Sequence, residues 1–356
     1  MLPDAGEATR IDPDLPSRIP SLDGLRAVSI LMVIIAHAIN PAALPVEYAL
    51  FGHMGNYGVR IFFLISGFLI TTLLLKEAVK HGTISLGAFY ARRAIRIFPA
   101  FYVYVFTVIV LASCEWVVLQ PGDILHTLTY TMNYHQDRSW YLNHTWSLSV
   151  EEQFYLLWPA MLVWLGWRRA MLGAFLFVIA APLIRSVMYF GWQATPTALG
   201  RQFQAVGDAL ACGCLLAGHY NRLGAAGWYR RMQDYSIYPL LPLLLLAVSG
   251  ATYWISLPCY YILGQSVANI SCFLLLDYGV RAAGSPFGRL LNTRPLTYVG
   301  AMSYSLYLWQ ELFLDYGVTG LRFDFPFNLI ALAVTSLFSY YCIEQAFPGL
   351  RQRFSR

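Results

Sequence analysis

Charge is scarce in this sequence. Only 12% of its 356 residues are Asp, Glu, Lys or Arg, while 58% are apolar. A soluble globular domain carries roughly 25% charged and about 45–50% apolar residues. The shortfall excludes an ordinary soluble domain, because the apolar excess is gathered into runs about 16–24 residues long, enough helix to cross a hydrocarbon core of roughly 30 Å. No CxxC pair occurs among the 6 cysteines, which removes a zinc or redox motif from consideration and leaves them as small apolar residues. No contiguous Lys/Arg stripe accompanies the net charge of +5, so no nucleic-acid partner is expected. Neither a Gly/Ser linker nor a fixed-period repeat divides the chain, and one membrane domain is expected. Residues 1–23 lack the basic start and apolar core of a signal peptide; Asp4, Asp12, Asp14, Pro13, Pro16 and Pro20 make them a polar arm.

What is present is a series of apolar runs. They predict an all-α polytopic membrane bundle of about ten transmembrane helices, at 25–42, 58–76, 97–119, 147–166, 170–190, 203–219, 236–250, 255–280, 297–316 and 326–345. Gly250 and Pro258 interrupt 236–280, which reads equally as one, two or three segments. The domain limits are then a cytoplasmic tail 1–23, a transmembrane domain 24–346 and a basic tail 347–356. Most of the 24 Lys and Arg residues fall in the two tails and in alternate loops, among them Lys76, Lys80, Arg92, Arg93 and Arg96, then Arg222, Arg230 and Arg231. By the positive-inside rule these loops and both termini are cytoplasmic. The outer loops keep Arg138, Arg201 and Arg322. The segment 81–96 alternates apolar and basic residues and is expected to lie along the interface as a separate short helix. The long outer loop 120–146, rich in Tyr, His, Trp and Asn, suits either a sugar or an interfacial aromatic belt.

Ionisable groups are costly inside a bilayer, so each is a candidate functional group. His37 lies near the outer end of the first span, with Arg26 eleven positions earlier. Eleven residues leave an angular offset of about 20° and rise about 16 Å, so both share one face, half a membrane apart. The pair suits a ligand whose anionic head meets Arg26 and whose reactive end reaches His37; a snorkelling arginine and a histidine bonded to a neighbouring helix fit as well. HTWSLSVEEQFY, 144–155, brings Glu151 and Glu152 into the fourth span, where one of them is expected to orient His37 and raise its basicity. Arg93 and Arg96, spaced i, i+3, present two guanidiniums suited to phosphate, although positive-inside topology alone also puts basic residues there. Ser66-Gly67 in the second span reads as a close-packing pair. Asp208 is either a buried functional acid or a partner for a neighbouring helix.

The residues IPSLDGLRAVSILMVIIAHA, GVRIFFLISGFLITTLLLKE, FYARRAIRIFPAFY, HTWSLSVEEQFYLLWP and LTYVGAMSYSLYLWQ, in that order, resemble the motifs of the bacterial membrane acyltransferase family 3, from about residue 20 to residue 345. The resemblance implies a multi-pass O-acyltransferase of the inner membrane, acting on polysaccharide. Its donor is acyl-CoA, with acetyl-CoA expected; its acceptor is a carbohydrate or other hydroxyl, and its surroundings are the lipid bilayer. On this reading His37 is the base or a transient acyl carrier, oriented by Glu151 or Glu152. Arg26, Arg93 and Arg96 hold the donor. Asp23, Ser147, Tyr155, Asp208 and Tyr304 contact substrate, no metal is called for, and the membrane domain alone carries out the transfer. Two positions depart from the family. Gln310 stands where members often carry histidine, and Val206 where an arginine often precedes the acid of the sixth span. Both are expected to lie away from His37 and to bear on substrate contacts. The competing reading is a proton-coupled transporter or flippase using the histidine and glutamates as a relay, which predicts inverted repeats that the sequence does not display.

Overall fold

The computed structural model describes residues 19–39, 49–235, 238–315 and 325–346. Most of both expected tails and Arg322 lie outside the described residues. Helices follow one another with no β-strand among the described residues, and the chain is an all-α polytopic membrane bundle. The principal helices are α1 (Pro20–Ala38), α2 (Ala49–His81), α3 (Leu86–Ser113), α4 (Thr145–Leu165), α5 (Trp167–Ser186), α6 (Asp208–Ala225), α7 (Leu241–Ile255), α8 (Gln265–Arg281), α9 (Arg294–Ala301), α10 (Ser303–Phe313) and α11 (Phe327–Phe338). Seven stretches are long and apolar enough to cross a membrane by length and composition: Pro20–Ala38, His53–His81, Leu86–Ser113, Trp167–Gly191, Tyr238–Ile255, Leu257–Arg281 and Phe327–Glu344. The other three expected spans are helical but carry more polar residues or, between α9 and α10, break at Met302.

Local sequence explains where the helices start and stop. α1 begins earlier than its apolar run because Pro20 occupies the first turn, where a missing N–H costs nothing. The interfacial helix expected over 81–96 is not a separate element. Ser85 caps Ala88 N at 3.4 Å and a single helix, α3, runs from Leu86 to Ser113. Pro99, which invites a break at that point, is carried inside the helix, as prolines are where neighbouring groups in a membrane bundle take up freed carbonyls. The ambiguous stretch 236–280 forms two spans that part at Ser256, whose side chain accepts from Cys259 N and starts the second. The expected span at 203–219 shifts: short helices Pro196–Arg201 and Phe203–Val206 precede α6, which begins at Asp208.

α2 sits at the centre, with Phe63, Leu64 and Phe68 fully buried. Large apolar residues of α3, α5, α7 and α11, such as Phe106, Leu176, Leu243 and Phe338, stand exposed on the outside of the bundle. That surface suits lipid, not water. The central crossing depends on two glycines. A Cβ on Gly67 would lie 2.1 Å from Leu210 O, and one on Gly213 would lie 2.1 Å from Leu64 O. Backbones of α2 and α6 therefore touch, which is the packing role read for Gly67. Gly213→Val is expected to force α2 and α6 apart and to destabilise the bundle by about 1–3 kcal/mol. Thermal unfolding of the detergent-solubilised protein measures it; an unchanged midpoint would mean the crossing tolerates a wider gap.

Candidate active site

Three helices, α1, α4 and α10, carry a seam of polar residues through this apolar bundle. From His144, the N-cap of α4, Ser147, Glu151 and Tyr155 follow at intervals of three or four residues and so share a face. On α10, Ser303, Tyr307 and Gln310 do the same. On α1 the Arg26–His37 spacing gives the third stripe. The seam has two ends.

At the Arg26 end lies a cavity of about 120 Å³, to which α1 contributes Arg26, α3 Arg93 and Arg96, and α4 Ser147, Glu151, Glu152 and Tyr155. Ser303, Tyr304 and Tyr307 close it from α10. The Ser66 hydroxyl donates to Glu151 Oε1 at 2.6 Å and accepts from the Tyr155 hydroxyl at 3.1 Å. The Arg93 guanidinium lies 4.0 Å above the centre of the Tyr155 ring, and Arg93 Nε is buried without a partner. The Tyr304 hydroxyl donates to Ile97 O at 3.0 Å, anchoring α10 to α3. Arg93 and Arg96 also line a second, wider cavity of about 460 Å³ whose walls add Lys76, Lys80, His81 and Arg92. The two cavities share Ile70 and Leu73 as well, so a strongly basic vestibule opens next to the inner one.

At the other end, His37 Nδ1 lies 2.6 Å from Gln310 Oε1, and its ring meets the Trp140 ring edge-on at 5.5 Å. An amide oxygen only accepts, so Nδ1 donates this bond, and in the neutral ring Nε2 is the nitrogen with the lone pair. Gln310 is fully buried, and its Nε2 has no partner. Beside it, Glu311 is equally buried and accepts from His144 twice, at Nδ1 (2.8 Å) and at the backbone N–H (3.0 Å). Asn143 Nδ2 adds a 3.4 Å bond to Glu311 Oε1, and Trp140 Nε1 donates to Glu311 O at 2.8 Å. The two ends meet at Ser147, whose hydroxyl is 2.5 Å from that of Tyr307, which in turn donates to His144 O at 3.1 Å.

Several expectations change here. Neither Glu151 nor Glu152 orients His37. The level of His37 is that of His144 and Glu311, and Glu151 lies seven residues further along α4, about 10 Å away along the helix axis. Both glutamates line the arginine cavity instead. The partner of His37 is Gln310, so the departure expected to lie outside its surroundings lies at their centre. Asp208 joins neither end. Its carboxylate accepts from the fully buried Arg185 at 2.8 Å, and Arg185 also donates to Ala205 O at 2.8 Å and to Ser266 Oγ at 2.5 Å. Asp23 lies in the first turn of α1, its backbone pressed against Gly300 of α9, and it does not line the cavity. The His144–Glu311 pair was missed. Both residues stand inside quoted motifs or next to them, and a carboxylate within an apolar span was the available signal.

Comparisons with known proteins show the family. A family model described as an acyltransferase domain matches residues 19–344. The Listeria monocytogenes "Peptidoglycan O-acetyltransferase OatA" is 27% identical over 330 residues, covering 82% of this chain and 49% of that protein. The Bacillus subtilis "Putative peptidoglycan O-acetyltransferase YrhL" is 30% identical over 326 residues, covering 82% of this chain and 48% of that protein. This chain thus spans about half the length of these relatives. No solved structure matches it. With its motifs in order along a polar seam, and with a family match over nearly its whole length, the chain belongs to the membrane acyltransferase family 3.

Proposed function

We propose that this chain is an O-acetyltransferase of the bacterial inner membrane, with both termini cytoplasmic. On this reading it moves an acetyl group from acyl-CoA, entering at the Arg26 end, to a glycan hydroxyl arriving at the His37 end. The observation that carries the reading is the seam: a basic vestibule, a cavity with three arginines, and a histidine with a free ring nitrogen follow one another through an apolar bundle. The excess of Lys and Arg in the loops on the vestibule side supports its cytoplasmic placement. The names of the relatives support acetyl transfer to a cell-wall glycan.

The chemistry follows from the residues. Arg93 and Arg96, with Arg26 deeper, meet the phosphates of the donor, which planar guanidiniums bind in bidentate fashion. The acyl arm extends along the seam toward His37. There His37 Nε2 takes the proton of the acceptor hydroxyl as its oxygen bonds to the acyl carbon; the C–S bond breaks, and the imidazolium returns its proton to the departing thiolate. Gln310 fixes the tautomer and ring orientation.

The test is thiol release from acetyl-CoA by the purified protein with a soluble glycan acceptor. Release that depends on both substrates is expected; proton-coupled glycan uptake without release would replace this reading with transport. Arg93→Ala with Arg96→Ala is expected to weaken acetyl-CoA binding by about 10- to 100-fold, the worth of one or two charge-assisted hydrogen bonds. Equilibrium binding reads this directly, and unchanged affinity would remove the phosphate role while leaving the chemistry standing.

A further inference from the structure

Most polar side chains around the arginine cavity are spent on one another or on the backbone. Ser66 donates to Glu151 and accepts from Tyr155, Ser147 and Tyr307 share a hydrogen bond, and Tyr304 donates to Ile97 O. Besides the arginines, two lining groups are not spent in this way. Ser303, at the start of α10, is 1% exposed, and its Oγ has no partner. Glu152 lies in the field of Arg93 and Glu151, and among the described residues its carboxylate makes no hydrogen bond. A buried hydroxyl without a partner is costly, so one that lines a cavity marks a contact that a guest completes.

The balance of donors and acceptors says what the guest carries. Phosphate brings acceptors and negative charge, which suit guanidiniums and are repelled by Glu152. A secondary amide brings both kinds of group: its N–H meets a carboxylate, which only accepts, and its C=O meets a hydroxyl. Size points the same way. Pockets for whole drug-sized ligands measure about 300–1,000 Å³. The vestibule, at about 460 Å³, falls in that range, while the inner cavity, at about 120 Å³, has room for a chain and not for a nucleotide. α2 lines the inner cavity with Phe62, Phe63, Ile65 and Leu69, an apolar wall that suits methylenes between amides. Arg93 and Arg96 belong to both cavities, so a chain in the inner one begins where phosphates in the vestibule end.

We infer that the inner cavity holds an amide-bearing arm of the acyl donor, with Glu152 accepting an arm N–H and Ser303 donating to an arm C=O. The inference rests on the proposed acyl transfer, since it names what joins the donor's phosphate to its thioester. A phosphopantetheine arm has this chemistry, and it is carried either by coenzyme A or by an acyl carrier protein. The subsite selects thioesters on such an arm over acyl phosphates and plain alkyl thioesters, which have no amide to offer.

The test uses the full chain in detergent and two matched probes: S-acetyl-phosphopantetheine, the part common to both carriers, and its analogue with both amides replaced by esters. The analogue keeps the length and the carbonyls and lacks the N–H groups. Equilibrium binding without acceptor is expected to favour the amide probe by at least about 10-fold, the worth of a hydrogen bond to a charged group. Glu152→Ala is expected to erase that ratio and Glu152→Gln, which still offers an acceptor, to keep part of it. Ser303→Ala is expected to weaken both probes alike, by about 2- to 10-fold, because both retain the carbonyls. Equal binding of the two probes by the wild type, or a ratio untouched in Glu152→Ala, would overturn the subsite; the second result is what a glutamate that only neutralises Arg93 would give. Acetyl-CoA and an acetylated acyl carrier protein are then compared as donors, and the one that releases thiol identifies the carrier. Absence of thiol release from either donor with every acceptor sinks the acyl-transfer reading instead, and the acceptor-free binding ratio still decides the subsite by itself.

Discussion

Alanine at position 37 is expected to lower acetyl transfer by roughly 10²- to 10⁴-fold, the usual contribution of a positioned general base. His37 Nδ1 is committed to Gln310 at 2.6 Å, so Nε2 is the one ring nitrogen with a lone pair to offer. His144 lies at the same end but is not placed to substitute: its Nδ1 is held by Glu311, and the whole side chain is 1% exposed. The loss is expected in kcat, with acetyl-CoA affinity intact, because on the proposed reading the donor's charged part meets Arg26, Arg93 and Arg96, half a membrane away. The double arginine variant should show the reverse split, and the contrast separates chemistry from binding. Full activity of purified His37→Ala, with normal unfolding, would end the mechanism proposed for the seam.

Much of this was legible from residues alone, and the limits of what was legible are physical. The apolar runs predict the bundle because a bilayer demands long unbroken stretches, and α1, α2 and α5 fall close to where the runs put them. The Arg26–His37 phase survives because both lie in one uninterrupted helix, where 1.5 Å and 100° per residue hold. Pairings between helices are a different matter. Depth within a span is known to a turn or two, and a turn is about 5 Å, more than any hydrogen bond spans. That is why Glu151 or Glu152 was expected at His37, whereas Glu151 meets Ser66 and Gln310, read as remote, holds the histidine. Asp208 carries the same lesson. Its role turned on whether a cation from another helix reaches it, and Arg185 does. The helix expected to be separate over 81–96 runs on into the span for a simpler reason, since Pro99, a residue that ends helices in water, is carried inside α3.

Replacing Glu311 by alanine is expected to be among the most damaging single changes in the bundle, costing about 3–5 kcal/mol, as when one partner of a buried pair is deleted. The carboxylate collects three donors: the His144 ring at 2.8 Å, the His144 backbone N–H at 3.0 Å and the Asn143 amide at 3.4 Å. All three would be left facing an apolar void, each keeping its desolvation cost. Glu311→Gln keeps the shape and one acceptor but points an amide N–H₂ at groups that donate, so an intermediate loss is expected. These bonds fix the start of α4 against α10, and the Ser147–Tyr307 contact and the His37–Gln310 pair depend on the same two helices. The expected signature is therefore joint: a lowered unfolding midpoint in detergent together with reduced acetyl transfer, graded from alanine to glutamine. An alanine variant as stable as the wild type would show that the pair does not hold the seam together. A glutamine variant that unfolds normally and binds acetyl-CoA, yet transfers no acetyl group, would move His144 and Glu311 from holding the helices to serving the chemistry at His37.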